Sequence, residues 1–151
     1  ISVTAYYHAT KTKPAPEKSA DPAMRSLQLQ AYERLVVLAE RISLPALISR
    51  SNHARLSARE MQAILSDTIK QEVEYNASQQ IYVSPSAWNA LQNLKDQNLL
   101  IINQISNSLS PDASATDLNK HILEVIIAQK EKALRSIVLE SLNYEANKVM
   151  Q

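Results

Sequence analysis

Residues 84–109 read S-P-S-A-W-N-A-L-Q-N-L-K-D-Q-N-L-L-I-I-N-Q-I-S-N-S-L. Ser84 before Pro85 is a strong helix start: the hydroxyl caps free N–H groups, and proline at the first helical position gives up no donor the helix needs. Trp88, Leu91, Leu94, Ile101, Ile105 and Leu109 then recur at helical spacing, with no further Pro and no Gly to interrupt them. The segment predicts an amphipathic helix of about 25 residues whose apolar face has to be covered by other elements. Asn98 falls on that stripe. A polar residue in a seam can fix register, but the expectation here is an asparagine facing solvent.

Upstream of Ser84, Ile81-Tyr82-Val83 are three β-prone residues, too few for a sheet; they predict an extended connection pinned by its side chains. Before them, Ser57 with Glu60 three residues on forms a capping box. A helix follows to about Gln80 through Met61, Ile64, Leu65, Ile69, Val73 and Ala77, with Lys70 and Glu74 as a supporting i,i+4 pair. A first helix is predicted from about Ala23 to Ile42. One of its stripes is Met24, Leu27, Ala31, Leu35, Leu38 and Ile42; the other is Leu29, Tyr32, Val36 and Ala39. Pro45 ends it, because the residue before proline avoids the α region, and 44–48 reads as an apolar loop folded over the bundle end. Residues 13–22, K-P-A-P-E-K-S-A-D-P, read as an extended linker.

Downstream, Ser110-Pro111 repeats the start signal and 112–116 offer further caps. A last helix is expected from about Ala115 to Met150, roughly 50 Å long against roughly 30 Å for the first. It carries two apolar stripes. Leu118, Ile122, Ile126, Ala133, Ile137 and Tyr144 form one; Leu123, Ile127, Leu134, Val138, Leu142 and Val149 form the other. The surplus face is open to a partner chain or to cover by the first helix or the N-terminal segment. The fold expected is all-α: an antiparallel bundle of about four helices with a long C-terminal helix, over residues 23–151 and preceded by a 1–22 segment.

Composition agrees and excludes much. The chain of 151 residues contains no Gly, no Cys and no Phe. Without glycine, phosphate-cradling loops, dinucleotide-binding turns and strained nucleophile elbows lack the residue their backbone requires. Without cysteine there are no disulfides, thiolate nucleophiles or Cys-ligated zinc. Sixteen Lys and Arg against fifteen Asp and Glu give a net charge of +1, so the totals hold no basic excess for nucleic-acid binding.

The search for chemistry in the motifs returns structural readings. No Glu is followed by His three residues later, the pattern of di-iron bundles. His8, His53 and His121 are far apart in the sequence. Asp117 and His121, at i,i+4, are expected to pair on a helix surface. Glu72 and Glu74 project in different directions and cannot serve as matched acid and base. Lys130, Lys132 and Arg135 are diluted by Glu131, which is placed to pair with Arg135. No catalytic residue, metal site or cofactor is expected, and neither a nucleic acid nor a small molecule is expected as partner.

Tyr6-Tyr7 followed by Lys11 and Lys13 is the pattern of a chain leaving a bilayer on its cytoplasmic side; a plain terminus or short strand is the alternative. Three strings, 27–42 (L-Q-L-Q-A-Y-E-R-L-V-V-L-A-E-R-I), 56–62 (L-S-A-R-E-M-Q) and 76–88 (N-A-S-Q-Q-I-Y-V-S-P-S-A-W), together resemble an uncharacterised bacterial family of the Bacteroidetes type. Its members look like single-pass proteins with a cytoplasmic helical domain and no assigned activity. The resemblance covers roughly 27–142 and implies a membrane helix upstream of Ile1, with this domain at the cytoplasmic face of the inner membrane. The expected function is therefore a non-catalytic, membrane-tethered scaffold or protein-interaction domain, binding a protein partner or itself. The expected contact residues are Tyr32, Glu33, Arg34 and Arg41, with Tyr82 and Trp88; Tyr and Arg commonly anchor interfaces, while core packing is the alternative for Tyr32, Tyr82 and Trp88. A ligand-binding regulator or enzyme with a pocket in the bundle is the second hypothesis, nucleic-acid binding the third.

Overall fold

The computed structural model describes residues 18–51, 53, 55–128 and 131–151, with the side chains of 131–133 excepted. The Tyr6-Tyr7 and Lys11/Lys13 pattern lies outside these residues. Within them the chain forms six α-helices: α1 (Pro22–Arg41), α2 (Leu44–Arg50), α3 (Ala58–Tyr75), α4 (Pro85–Ser108), α5 (Ala115–Ala128) and α6 (Glu131–Met150), with a 3-10 turn at Ala77–Ile81 between α3 and α4. The fold is an all-α helical bundle.

The starts of the helices are set by their caps. Asp21 accepts from the Ala23 amide. At α3 the Ser57 hydroxyl accepts from the Glu60 amide at 3.1 Å, and the Glu60 carboxylate from the Ser57 amide, the reciprocal box expected. Ser84 caps α4 through the Ala87 amide at 3.0 Å. Ser114 and Asp117 repeat the box at α5. The two boxed starts are joined to each other: Ala58 N–H donates to Ala113 O and Ala115 N–H to Leu56 O, both at 2.9 Å, in an isolated antiparallel bridge at Ser57 and Ser114. Helices α3 and α5 thus begin side by side and pack together.

The 84–109 stretch becomes α4, which contacts α1, α3, α5 and α6. On one side it lies with α3, and Gln62 bonds to Asn103 and Ser106. On the other it lies with α6, which also runs along α1. Lys18 reaches the Gln151 carbonyl and Arg135 the Glu40 carboxylate, so α1 and α6 are antiparallel. Ala31, Leu35, Leu38 and Ile42 from α1 and its C-terminal cap, Met61, Leu65 and Ile69 from α3, Leu91, Leu94 and Ile102 from α4, Leu118 and Ile122 from α5, and Leu142 from α6 are fully or almost fully buried.

Several local expectations are corrected. Residues 44–48 are part of a short helix rather than a loop: Pro45 tolerates the first turn, and Leu44 and Leu47 are buried under it. The second long helix stops at Tyr75, and the 3-10 turn, closed by Gln79 and Tyr82 amides donating to Asn76 and Gln79 carbonyls, replaces its last turn. Tyr82 is accordingly α-like, with φ −103° and ψ −2°, and not extended. Met24 and Leu27 are partly exposed on the first turns of α1. The 115–150 helix is seen as α5 and α6, residues 129 and 130 lying outside the description. Its buried stripe changes between them, from Leu118, Ile122 and Ile126 to Val138, Leu142 and Val149.

Polar pairing differs too. Asn98 does not face solvent: it is fully buried, and its Nδ2 donates to the Ile42 carbonyl at 2.9 Å. That carbonyl sits at the C-terminal cap of α1, where no helical donor remains. No ion pair joins Lys70 to Glu74, both exposed. Arg135 pairs with Glu40 at 3.1 Å, while the Glu131 side chain lies outside the described residues. The His121 ring meets the Asp117 backbone carbonyl at 2.7 Å, because the Asp117 carboxylate is engaged by the Ser114 amide.

Candidate interaction site

Three of the six expected contact residues share one face. Glu33, Arg34 and Arg41 of α1 line a cleft of ≈ 230 Å³ whose other wall is Glu72, Tyr75 and Asn76 at the end of α3. A second cleft of ≈ 380 Å³ adjoins it and shares Arg41, Glu72 and Tyr75. The ridge between them is the Arg41–Glu72 pair, in which the Arg41 Nε lies 3.0 Å from both carboxylate oxygens. Arg50 holds the ridge from below by donating to the Arg41 carbonyl at 2.8 Å. The Arg41 hydrogen bonds, with the charges of Arg41 and Arg50, hold the Glu72 carboxyl below its usual range against a smaller opposing effect of burial. Among the described residues Arg34 forms no ion pair. Its guanidinium carbon stands 5.7 Å from the centre of the Tyr75 ring, a cation–π contact. Tyr75 is 78% exposed and Val37 beside it 50%, so the face presents apolar area, a stacked arginine and a carboxylate at Glu33.

The other three residues lie elsewhere. Tyr32 is on the opposite side of α1 and is buried, the core-packing alternative; Tyr82 and Trp88 are half-buried and pack on the core. Around Tyr32 the structure shows a polar knot between α1, α4 and α6. The Ser84 hydroxyl, while capping α4, donates to Glu145 Oε1 at 2.6 Å, and the Ser84 amide donates to the Tyr32 hydroxyl at 3.3 Å. Burial, and then the charge of Glu145, push the Tyr32 hydroxyl well above the usual tyrosine range. Glu145 is 6% exposed, and its Oε2 has no hydrogen-bond partner among the described residues. Its carboxyl lies at the N-terminal end of α4, the favourable end of that helix for negative charge. No cation faces it in an ion pair among the described residues. Glu145 is not among the residues expected from the sequence, although its position carries a signal. It falls between Leu142 and Val149 on the stripe that α6 buries.

Among the described residues no group of three or more His, Asp or Glu is placed to hold a metal ion, and no helix is long and apolar enough to cross a membrane.

Fold and face together describe an all-α bundle with a mixed apolar and charged surface between its first and third helices. The chain belongs to a family of unknown function (DUF7935), whose model matches residues 4–149. No curated protein and no solved structure matches it.

Proposed function

We propose that this domain is a non-catalytic protein-interaction module that docks a partner protein on the α1/α3 face. The observation that carries the reading is the Arg34–Tyr75 stack beside exposed Val37, bounded by the fixed Arg41–Glu72 ridge. Tyrosine and arginine on a pre-formed surface anchor interfaces at small entropic cost, because the ridge and the stack already restrict them. The chemistry complementary to this face is a segment with an apolar side chain to lie over Val37 and Tyr75 and a carboxylate to reach Arg34. Tethering to the cytoplasmic face of a bacterial inner membrane is part of the same proposal. It is supported by the Tyr6-Tyr7, Lys11 and Lys13 pattern.

Cross-linking of the full-length protein in its native cells, with Arg34→Glu and Tyr75→Ala beside the wild type, tests the module. The expected result is one set of cross-linked proteins lost in both variants, while their thermal unfolding stays close to wild type. A cross-linking pattern indifferent to both substitutions would sink the docking face. Fractionation of the full-length protein tests the tether, which requires recovery in the inner-membrane pellet after a high-salt wash.

A further inference from the structure

Helix directions bring four segments to one end of the bundle. Lys18 reaches the Gln151 carbonyl, so α1 begins where α6 ends. Glu145, in the last turns of α6, accepts from Ser84 at the start of α4. The 3-10 turn that precedes α4 packs on α1. This end leaves large apolar side chains open to water: Ile81 is 74% and Met150 59% exposed, and Met24 and Leu27 are partly so. Met24 continues the α1 stripe of Ala31, Leu35 and Leu38 beyond the point where other helices cover it. Apolar area gathered in one place marks a binding surface.

The charge of this end is one-sided. Lys18, Arg25 and Lys148 stand here, and no Asp or Glu forms an ion pair with them among the described residues. Residues 75–94, which supply the 3-10 turn and the first turns of α4, include no Asp, Glu, Lys or Arg. The nearby described carboxylates are engaged: Asp21 caps α1 through the Ala23 amide, and Glu145 is buried against Ser84.

We propose that this end of the bundle rests on the surface of an anionic bilayer. Met24, Ile81 and Met150 enter the headgroup layer, and Lys18, Arg25 and Lys148 meet lipid phosphates. Apolar area and cationic charge each add to binding at such a surface. Continuity of the chain favours a bilayer over a protein as the occupant. Lys18 is five residues after Lys13, and five residues of chain reach at most about 18 Å. The tether of the proposed function, on which this inference rests, therefore delivers this end of the bundle to the membrane. It also makes the contact intramolecular, so that a weak affinity suffices. The α1/α3 face is left on the flank, open to a partner.

Flotation of the 151-residue chain with lipid vesicles tests the contact. Phosphatidylethanolamine vesicles with about one third phosphatidylglycerol are expected to bind it, and phosphatidylcholine vesicles at least about tenfold less. Trp88, the one tryptophan, lies on the first turns of α4 at this end, and its emission is quenched by lipids with nitroxide-labelled headgroups. Ile81→Asp weakens binding at least about fivefold, and Lys18→Glu combined with Lys148→Glu at least about tenfold. Ile127→Asp, at another open aliphatic side chain on α5, leaves binding unchanged, and circular dichroism checks that each variant is folded. A chain that stays out of anionic vesicles, leaving this end to a protein, would overturn the proposal. So would binding that Ile81→Asp or the lysine pair does not weaken, or that Ile127→Asp weakens as much as Ile81→Asp. Binding without quenching of Trp88 would overturn it too, by assigning the contact to residues upstream of Lys18. Failure on vesicles with the full-length protein still in the inner-membrane pellet removes this contact and leaves the tether; vesicle binding without recovery in the pellet removes the tether alone.

Discussion

Ser84 joins two structural tasks in one hydroxyl, accepting from the Ala87 amide at the start of α4 and donating to buried Glu145. Loss of an N-cap costs about 1 kcal/mol, and a buried acceptor left without its donor about 1–3 kcal/mol. Ser84→Ala is therefore expected to lower the folding free energy by about 2–4 kcal/mol in urea titration. A loss under about 1 kcal/mol would mean that Glu145 finds another donor. Asn98→Leu tests the second buried polar contact, since it retains volume but strands the Ile42 carbonyl that Asn98 satisfies. The expected cost is about 1–3 kcal/mol by the same measurement, and an unchanged midpoint would sink the capping role. Both residues occupy stripe positions, Asn98 between Leu94 and Ile101 and Glu145 between Leu142 and Val149. A helical pattern places them on the inward face but does not identify the donor or acceptor waiting across the gap. That information belongs to Ile42 and Ser84, more than fifty residues away in sequence.

Helices were legible wherever one residue type had one physical use. Ser57 and Ser84 cap as their chemistry requires, and the ends of α1 and α4 fall within a residue or two of the expected positions, whereas Ser110-Pro111 opens a turn and Ser114 caps α5. The weaker elements were not. The 3-10 turn at Ala77–Ile81 continues an apolar helical pattern that nothing local breaks, and Leu44–Arg50 is helical because Leu44 and Leu47 find a core to enter. The α1/α3 face was half legible. Glu33, Arg34 and Arg41 share one side of α1, but Glu72 and Tyr75, which complete the cleft, needed the packing of two helices to appear. That ion pair has a pH signature. The folded-state pKa of Glu72 is depressed by Arg41, so its contribution is full above the unfolded value of about 4.3 and is lost as pH falls through the lower folded value. Stability should decline from about pH 5 towards pH 3, and Glu72→Gln should flatten part of that decline. Asp112 and Asp117, held low by their hydrogen bonds to Ser110 and Ser114, account for some of the remainder. A Glu72→Gln profile parallel to wild type across this range would show that the Arg41 contact is not maintained in solution.

At the scale of the molecule, α4 is the shared wall. It packs with α3 and α5 on one side and with α6 and α1 on the other, and the two sides touch each other less than each touches its own members. Such a layout predicts one cooperative unit if contacts through α4 couple the two sides, and two units if they do not. The amino-acid pattern foretold a bundle, because a glycine-free chain of amphipathic helices has no other way to bury its stripes. The pairing order was not legible, since leucine and isoleucine stripes are interchangeable partners until loops and polar contacts choose. Trp88, the one tryptophan in the chain, sits on the first turns of α4 against the core, so its fluorescence reports the shared wall, whereas far-UV circular dichroism reports all the helices. Coincident urea midpoints by the two probes are expected, as for other single domains of this size. The buried knot of Tyr32, Ser84 and Glu145 ties α1 and α6 to the start of the same helix, and it is the coupling that should be tried first. In Glu145→Ala helix α6 loses its polar tie to the start of α4, and the ellipticity transition should begin at lower urea than the fluorescence transition. If both probes instead shift together in that variant, the apolar core with the remaining Tyr32–Ser84 and Asn98–Ile42 contacts holds the two sides as one unit, and the Glu145 tie selects the pairing of helices without being needed for their cooperativity.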